Sequence, residues 1–339
     1  MLISHMYKGA LRNLRRLQRM SPVQKLRYML RVFIGETLTT RAFGLRVVEI
    51  SLTDRCQCRC AHCFAATKAP EDELTAAEVE ILLKDLARLR VMEVCFSGGE
   101  PLLHPNILPL VASAAEKNFV VRLISNGILL DENLVVELKR AGLDWCSVSL
   151  DGPTPTIHDA FRGYPGCFER AVDALRYLVR HGVPCGIITV ARRELIKSGG
   201  LDDIVKLGKD LGVSVVRINF PVPLGRFKER DNQVLTLSER EEVRKLLRYG
   251  NTTMESPRER TTCKGGVTKV NILPNGDVTP CVFVPLPYGN VHKDRFADIW
   301  KAMRDYSRLF KISGQCPVCD PAMAARIFEA AEARRKSTE

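Results

Sequence analysis

Strand–helix alternation dominates residues 46–220 and limits the folds that this chain can adopt. Short apolar runs that read as buried strands are separated by longer runs in which apolar residues recur at helical spacing. Glycines stand just past three of these helices and just before a strand, as left-handed C-caps do: Gly142, Gly182 and Gly212. Six such units predict an α/β domain with a parallel sheet and right-handed crossovers. The alternation does not distinguish an open sheet from a barrel.

Turn and capping residues place the individual elements. A capping box at Thr75 opens the first helix of the alternating region, and a second box, Ser238 with Glu241, opens a later one. Asn275-Gly276 predicts the turn of a β-hairpin. The predicted strands are 47–52, 92–96, 119–124, 144–150, 183–190, 213–220, 267–273 and 278–284, and further predicted helices lie near 106–117, 132–141, 167–181, 201–211, 296–310 and 321–335.

Composition is that of a globular protein. The chain has 339 residues, of which 45% are hydrophobic and 27% charged, enough to bury a substantial core. Twelve cysteines in so long a chain fit a reducing compartment, where thiols remain free to bind metal, better than a disulfide scaffold. The sequence has no apolar run of about 18 residues and no signal-peptide core, so we predict a cytoplasmic protein.

Positive charge is concentrated at the N-terminus. The net charge is +12, and residues 1–45 contain nine Lys or Arg residues against one acid, Glu36. This basic arm reads as two short amphipathic helices, which we expect to pack on the body of the protein. The alternatives are an acidic partner or peripheral contact with an anionic membrane through residues 1–34. Because the charge is confined to the arm, no nucleic-acid partner is predicted.

Three cysteines share one short loop after the first strand. Cys56, Cys60 and Cys63 are separated by three and two residues. Thiolates are soft ligands that suit zinc or an iron–sulfur cluster, but structural zinc usually takes four ligands in two distant pairs. A four-iron cluster held by three cysteines keeps one iron open for a substrate or cofactor. A zinc site completed by Cys58 or His62 is the alternative.

This spacing resembles the Cys-x3-Cys-x2-Cys signature of the radical SAM superfamily, and segments after the next strands strengthen the resemblance. Gly98-Gly99-Glu100-Pro101 looks like the GGEP motif, which in that family contacts the amino group of S-adenosylmethionine. Ser125-Asn126 is similar to the family's TNG loop. Ser149 and Asp151 lie in a segment similar to the one associated with the ribose. The alternative for these two segments is ordinary turn chemistry.

A second set of four cysteines lies near the C-terminus. Cys263 and Cys281 flank the predicted hairpin turn, and Cys316 and Cys319 form a close pair. The set resembles the twitch domain, a shortened SPASM domain that holds one auxiliary four-iron cluster. Four thiolates would also satisfy structural zinc.

The resemblance implies a partial (β/α)6 barrel followed by a small α+β twitch-like domain. The predicted divisions are the basic arm at 1–45, the barrel at 46–235, a helix and linker at 236–262, and the auxiliary-cluster domain at 263–339.

The implied activity is reductive cleavage of S-adenosylmethionine to a 5′-deoxyadenosyl radical, which abstracts a hydrogen atom from a substrate. The resemblance also implies two four-iron clusters, one of them auxiliary and serving electron transfer, and a reductant such as flavodoxin or ferredoxin. The auxiliary cluster would accept an electron from the substrate radical, which would make the net reaction an oxidation. We predict a small-molecule or lipid substrate and assign no catalytic side chain. A peptide-modifying or tetrapyrrole-processing enzyme is the alternative, and a zinc-binding scaffold with a basic docking arm is the non-enzymatic one.

Overall fold

A computed structural model describes residues 44–64, 73–227, 234–254, 265–284, 286–303 and 316–336. The predicted basic arm, except for its last two residues, lies outside these ranges, as do the linker beyond residue 254 and the predicted ligand Cys263. Among the helices of the described segments, none is long and apolar enough to span a membrane.

Nine strands form one sheet in the described part of the chain. Their order is β7-β6-β5-β4-β3-β2-β1-β8-β9, and every neighbouring pair is parallel except β8 with β9. The sequential order of β1 to β6 is what repeated right-handed crossovers produce, and it agrees with a partial barrel. The strands are β1 Val47–Ser51, β2 Glu93–Ser97, β3 Val120–Ser125, β4 Trp145–Ser149, β5 Cys185–Val190, β6 Val215–Asn219, β7 Thr252–Met254, β8 Lys269–Ile272 and β9 Val278–Thr279.

Helices connect the parallel strands and bury their apolar residues against one face of the sheet. The first helix shows how: Thr75 and Glu78 form the predicted capping box, and four apolar side chains of the helix are buried. The helices are α1 Ala76–Arg88, α2 Ile107–Glu116, α3 Glu132–Ala141, α4 Pro155–Arg162, α5 Cys167–Arg180, α6 Arg193–Ser198, α7 Gly200–Asp210, α8 Leu237–Arg244, α9 Phe296–Met303 and α10 Pro321–Lys336.

The two faces of the sheet differ in chemistry. On β1, Val48 and Ile50 are fully buried in the hydrophobic core that the helices share. Glu49 and Ser51 alternate with them and therefore point to the opposite face, which we call the inner face. Ser97 on β2 lies on this inner face too, since its hydroxyl donates a hydrogen bond to Glu49 Oε1 at 2.9 Å. The inner face of the sheet is thus polar.

The C-terminal hairpin joins the same sheet. β8 pairs in parallel with β1, with Val47 opposite Lys269 and Ile50 opposite Ile272. The predicted Asn275-Gly276 turn connects β8 to β9, and Gly276 has a φ of 82°. Both strands are shorter than predicted, since β8 spans only the four residues that pair with β1 and β9 only the two that pair with β8.

Two sequence predictions for residues 236–262 are corrected. The helix α8 is capped by Thr236 with Glu239, two residues before the predicted box. Residues 252–254 form β7, an edge strand that pairs in parallel with β6, within a segment predicted to be a linker. A polar three-residue strand has no hydrophobic alternation to reveal it, and only the unpaired edge of β6 makes it a strand.

Candidate functional site

The predicted motifs meet at one end of the sheet. The cysteine loop follows β1, Gly98 follows β2, Ser125 ends β3 and Ser149 ends β4. Because these strands are parallel and adjacent, their carboxyl ends lie side by side. Ligands of parallel α/β folds bind at this end of the strands.

The cysteine loop is held by backbone hydrogen bonds from distant segments. Arg59 N donates to Arg162 O, and Ala61 N donates to Phe161 O, each at 2.9 Å. From the other side, Arg226 Nη1 donates to Cys60 O at 2.8 Å. The end of α4 and the 3-10 turn at Gly225–Phe227 therefore fix the loop between them.

The thiols of the loop lie close together. Cys58 and Cys60 are buried in one small cluster, and Cys56 and Cys63 pack against it. A hydrogen bond from the Cys58 thiol lowers the pKa of Cys56 to about 6 and, with help from Arg162, that of Cys60 to about 6. The same hydrogen bonds raise the pKa of Cys58.

Thiolate is the form of cysteine that binds metal, so this loop favours the ligand state of two predicted ligands. Three sulfurs on one loop, with two of them predisposed to ionise, fit a cluster that keeps one iron open. Cys58, considered from the sequence as a further zinc ligand, donates hydrogen bonds to Cys56 and Cys60.

The glycine pair after β2 packs on the chain that enters the cysteine loop. Gly99 N donates to Thr53 O at 2.7 Å. A Cβ atom on Gly98 would lie 2.4 Å from Thr53 O, and one on Gly99 would lie 2.5 Å from Arg55 O. The family resemblance implied that this segment contacts S-adenosylmethionine. In the structure, the close approach that excludes side chains is to residues 53–55.

Glu100 links the second motif to the third. Its carboxylate is fully buried and accepts hydrogen bonds from Ser125 Oγ at 2.9 Å and from Asn126 N at 2.7 Å. Burial raises the pKa of Glu100 to about 7, against the opposing effect of these donors. Pro101, also buried, begins a short 3-10 helix.

Asn126 connects the third motif to the cysteine loop. Its Nδ2 atom donates hydrogen bonds to Gln57 Oε1 at 3.1 Å and to Cys56 Sγ at 3.7 Å. Its Oδ1 atom accepts from Ile128 N at 2.9 Å, which fixes the orientation of the amide.

Asp151 joins the fourth motif to the loop through a residue that the sequence did not indicate. Asp151 Oδ2 lies 2.7 Å from Arg162 Nη2, and Arg162 Nη1 donates to Cys60 Sγ at 3.5 Å. Burial, the largest single effect, acts to raise the pKa of Asp151, but the Arg162 guanidinium, His62, His158 and the Val190 N–H together lower it. Ser149 ends β4 and is half-buried at the same edge.

Sequence reasoning missed three residues of this site. Arg162 and His158 lie on α4, a helix that the apolar pattern did not predict. His158 is buried and its Nδ1 accepts from Asp151 N at 2.9 Å. Arg192 donates to Asp151 O at 2.7 Å and lies 3.9 Å above the Phe161 ring. Only Arg192 had a usable signal, since it follows directly after a strand.

The C-terminal cysteines are partly described. Cys316 and Cys319 are joined by a hydrogen bond that lowers the pKa of Cys319 and raises that of Cys316, to which the nearby Cys281 contributes. Cys319 Sγ also donates to Pro221 O at 3.7 Å. Three of the four predicted ligands therefore lie near one another, and Cys263 lies outside the described ranges.

Comparison with family profiles identifies the chain. The profile of the radical SAM superfamily matches residues 50–198, which contain the cysteine loop and the motifs after β2, β3 and β4. A second profile, SPASM, described as an iron–sulfur cluster-binding domain, matches residues 263–320. The chain belongs to the radical SAM superfamily. This radical SAM protein also has a SPASM-type C-terminal region, as its sequence indicated.

The family implies the cofactors. A radical SAM domain binds S-adenosylmethionine and a four-iron cluster, and the SPASM region implies auxiliary iron–sulfur binding. The thiol-rich donor sets fit these groups. The zinc scaffold considered from sequence is therefore not supported.

Curated relatives of this radical SAM enzyme process tetrapyrroles or peptides, according to their names. It is 29% identical to the AdoMet-dependent heme synthase of Oleidesulfovibrio alaskensis over 322 residues, covering 84% of this chain and 82% of the relative. It is 29% identical to the PqqA peptide cyclase of Gluconobacter oxydans, covering 74% of each chain. These relatives favour the tetrapyrrole and peptide alternatives over the small-molecule or lipid substrate predicted from sequence.

Two solved structures share the fold of this chain. Streptococcus suis SuiB bound to precursor peptide SuiA matches with a TM-score of 0.66 and 16% identity, covering 86% of this chain and 73% of SuiB. The enzyme anSMEcpe with bound AdoMet matches with a TM-score of 0.65 and 17% identity, covering 86% of this chain and 98% of anSMEcpe.

Proposed function

We propose that this radical SAM enzyme modifies a tetrapyrrole that carries carboxyl side chains. The observation that carries the proposal is the likeness to the O. alaskensis heme synthase, which spans both proteins nearly end to end. The Fe-coproporphyrin III synthase of Methanosarcina barkeri is 33% identical over 198 residues, covering 57% of this chain and 48% of the relative. Two differently named tetrapyrrole enzymes therefore resemble this chain.

The inner face of the sheet supports an anionic substrate. Arg122, Arg217 and Lys269 lie on it, as the alternation with buried apolar residues on β3, β6 and β8 requires. Two carboxylates face them, Glu93 at 3.0 Å from Arg122 and Glu49 at 3.2 Å from Lys269. Cationic side chains on this face attract molecules with several carboxylates.

We assign the cofactor sites residue by residue. Cys56, Cys60 and Cys63 would hold the cluster that binds S-adenosylmethionine, and Cys281, Cys316 and Cys319 with Cys263 would hold the auxiliary cluster. The groups around the S-adenosylmethionine would be Gly98, Gly99, Glu100, Pro101, Ser125, Asn126, Ser149 and Asp151. When bound, these cofactors supply a 5′-deoxyadenosyl radical that abstracts a substrate hydrogen, and the auxiliary site would serve electron transfer in a net oxidation.

The protein residues orient these groups. The guanidinium of Arg162 donates a hydrogen bond to Cys60 Sγ at 3.5 Å, and its positive charge stabilises the thiolate. Glu100, fully buried, fixes Ser125 and Asn126 and so the spacing between the motifs after β2 and β3. The buried positions of these residues also keep water from the reactive centre.

The test is substrate-dependent turnover by protein reconstituted without oxygen. Iron coproporphyrin III, added with S-adenosylmethionine and a reductant such as flavodoxin or dithionite, should increase 5′-deoxyadenosine and change the mass of the porphyrin. The variant Cys60→Ala should lose both products, and the matched control Cys185→Ala, a buried cysteine on β5 away from the loop, should retain them. Failure of the wild-type protein to bind or alter the porphyrin would overturn the proposal.

A peptide substrate is the second candidate. The likeness to the PqqA peptide cyclase, 29% over 269 residues, favours it. A precursor peptide of that class is therefore the parallel arm of the assay. Peptide-dependent 5′-deoxyadenosine with no response to the porphyrin would select this candidate.

A further inference from the structure

Asn271 carries a buried side-chain amide that no described residue satisfies. It lies on β8, is 0% exposed, and neither its Nδ2 nor its Oδ1 has a hydrogen-bond partner among the residues that the structure places. Its neighbour Glu49 is engaged on both oxygens, by Ser97 Oγ at 2.9 Å and by Lys269 Nζ at 3.2 Å. Ser97, Glu49 and Asn271 form a row of polar side chains across three strands, and within this row only the Asn271 amide lacks hydrogen bonds to described residues.

The side chain of Asn271 points to the inner face. Val270 and Ile272, on either side of it, are fully buried in the core that packs on the helices, so Asn271 faces the other way. It is paired in register with Glu49. Glu49 lies two residues before the end of β1, so the Asn271 row is roughly 7 Å below the level at which the cysteine loop begins.

A buried amide with both its donor and its acceptor unused is unfavourable, and folded proteins rarely keep one. An apolar side chain would fill the same position in β8 without that penalty. The row lies on the inner face, below the end of the sheet where the cofactor residues lie. A bound molecule, with water in its absence, can satisfy both atoms at once.

We propose that Asn271 is a substrate-positioning residue that binds a protonated carboxyl group. Nδ2 donates to the carboxyl C=O, and Oδ1 accepts from the carboxyl O–H. A carboxyl group can pair with both atoms at once only when it is protonated, because Oδ1 needs an O–H donor. The identity of the group as a tetrapyrrole side chain rests on the proposed function.

The first test measures the substrate-free holoenzyme. In Asn271→Leu, the unpaired amide is replaced by an apolar side chain of similar size, so the unfolding temperature should be unchanged or higher. A fall of more than about 5 °C would show that the amide has a protein partner, which overturns the inference. The iron content of Asn271→Leu should match that of the wild type. The matched control is Asn118→Gly, which removes an exposed asparagine with a φ of 64°.

The second test varies the ligand. Iron coproporphyrin III is compared with its tetraamide, which keeps a donor beside each carbonyl, and with its tetramethyl ester, which has none. Wild-type holoenzyme should bind the acid and the amide about tenfold more tightly than the ester, and Asn271→Leu should bind all three with similar affinity. If Asn271→Leu keeps the wild-type preference for the acid and the amide over the ester, the inference is overturned and the tetrapyrrole function remains intact.

The two proposals can fail separately. Should no porphyrin bind to the wild-type protein, the tetrapyrrole function fails. Asn271 is then judged by peptide turnover: a rise of about tenfold in the peptide KM in Asn271→Leu keeps it as a positioning residue, with a main-chain amide as the bound group. An unchanged KM removes it from the substrate site.

Discussion

Arg162 Nη2 lies 2.7 Å from Asp151 Oδ2, and both side chains are buried. The same guanidinium donates to Cys60 Sγ at 3.5 Å. Asp151 follows β4, whereas Cys60 belongs to the loop after β1, so one arginine on α4 connects segments from distant parts of the sequence. Its buried charge is balanced only while these partners remain in place.

Replacing this arginine should destabilise the protein strongly. Arg162→Met leaves the Asp151 carboxylate buried without its cation, and we expect a loss of about 3–5 kcal/mol in the free energy of unfolding. Denaturant unfolding measures it. The control Arg176→Met breaks a solvent-exposed pair with Asp173 and should change stability by no more than about 0.5 kcal/mol. Equal effects of the two substitutions would contradict the role of burial.

Glu100 should make stability fall as the pH rises. Burial raises its pKa in the folded protein from 4.5 to about 7, so the folded state binds this proton more tightly than the unfolded state. The associated stability is present below pH 4.5 and is lost as the pH rises through about 7, a change on the order of 3 kcal/mol. Urea unfolding at pH 5 and pH 8 should show a shallower pH dependence in Glu100→Gln. Parallel profiles for the two proteins would show that this carboxyl group does not cause the effect.

Gly99→Ala should prevent correct formation of the cysteine loop. The added Cβ would lie 2.5 Å from Arg55 O and 2.6 Å from Asp54 O, so the chain that enters the loop must move. We expect the variant to retain less than about half of the iron bound by the wild type, because metal binding needs a preformed ligand geometry. The control Gly166→Ala has a φ of 76° but no atom within 4 Å of its new Cβ, and should retain its iron. Wild-type iron content in Gly99→Ala would contradict the steric role.

Iron content should separate the two cysteine groups. Anaerobically reconstituted wild-type protein should contain about eight irons, as expected for two four-iron clusters. Replacing Cys56, Cys60 and Cys63 by alanine should leave about four irons and remove 5′-deoxyadenosine formation. Replacing Cys281, Cys316 and Cys319 should also leave about four. Full iron content in either triple variant would exclude that group as ligands, and Cys185→Ala serves as the control for a buried cysteine outside both groups.

The local sequence indicated most of the parallel fold. The strands β1 to β6 and the helices α1, α2, α3, α5 and α7 follow from apolar periodicity and capping residues, which act within a few residues of each other. The short helices α4 and α6 escaped prediction, since six to eight residues carry little periodicity. Edge strand β7 also escaped, because an unpaired neighbour created it.

The sequence by itself determined the chemistry of this protein, because three closely spaced thiols and the strand-end motifs lie within short segments. Only the tertiary structure decided which groups face each other. Arg162 reaches Asp151 and Cys60, and β8 brings Asn271 opposite Glu49, although more than 200 residues separate the last two. Contacts of this kind depend on the order and register of the strands, which no local pattern of residues encodes.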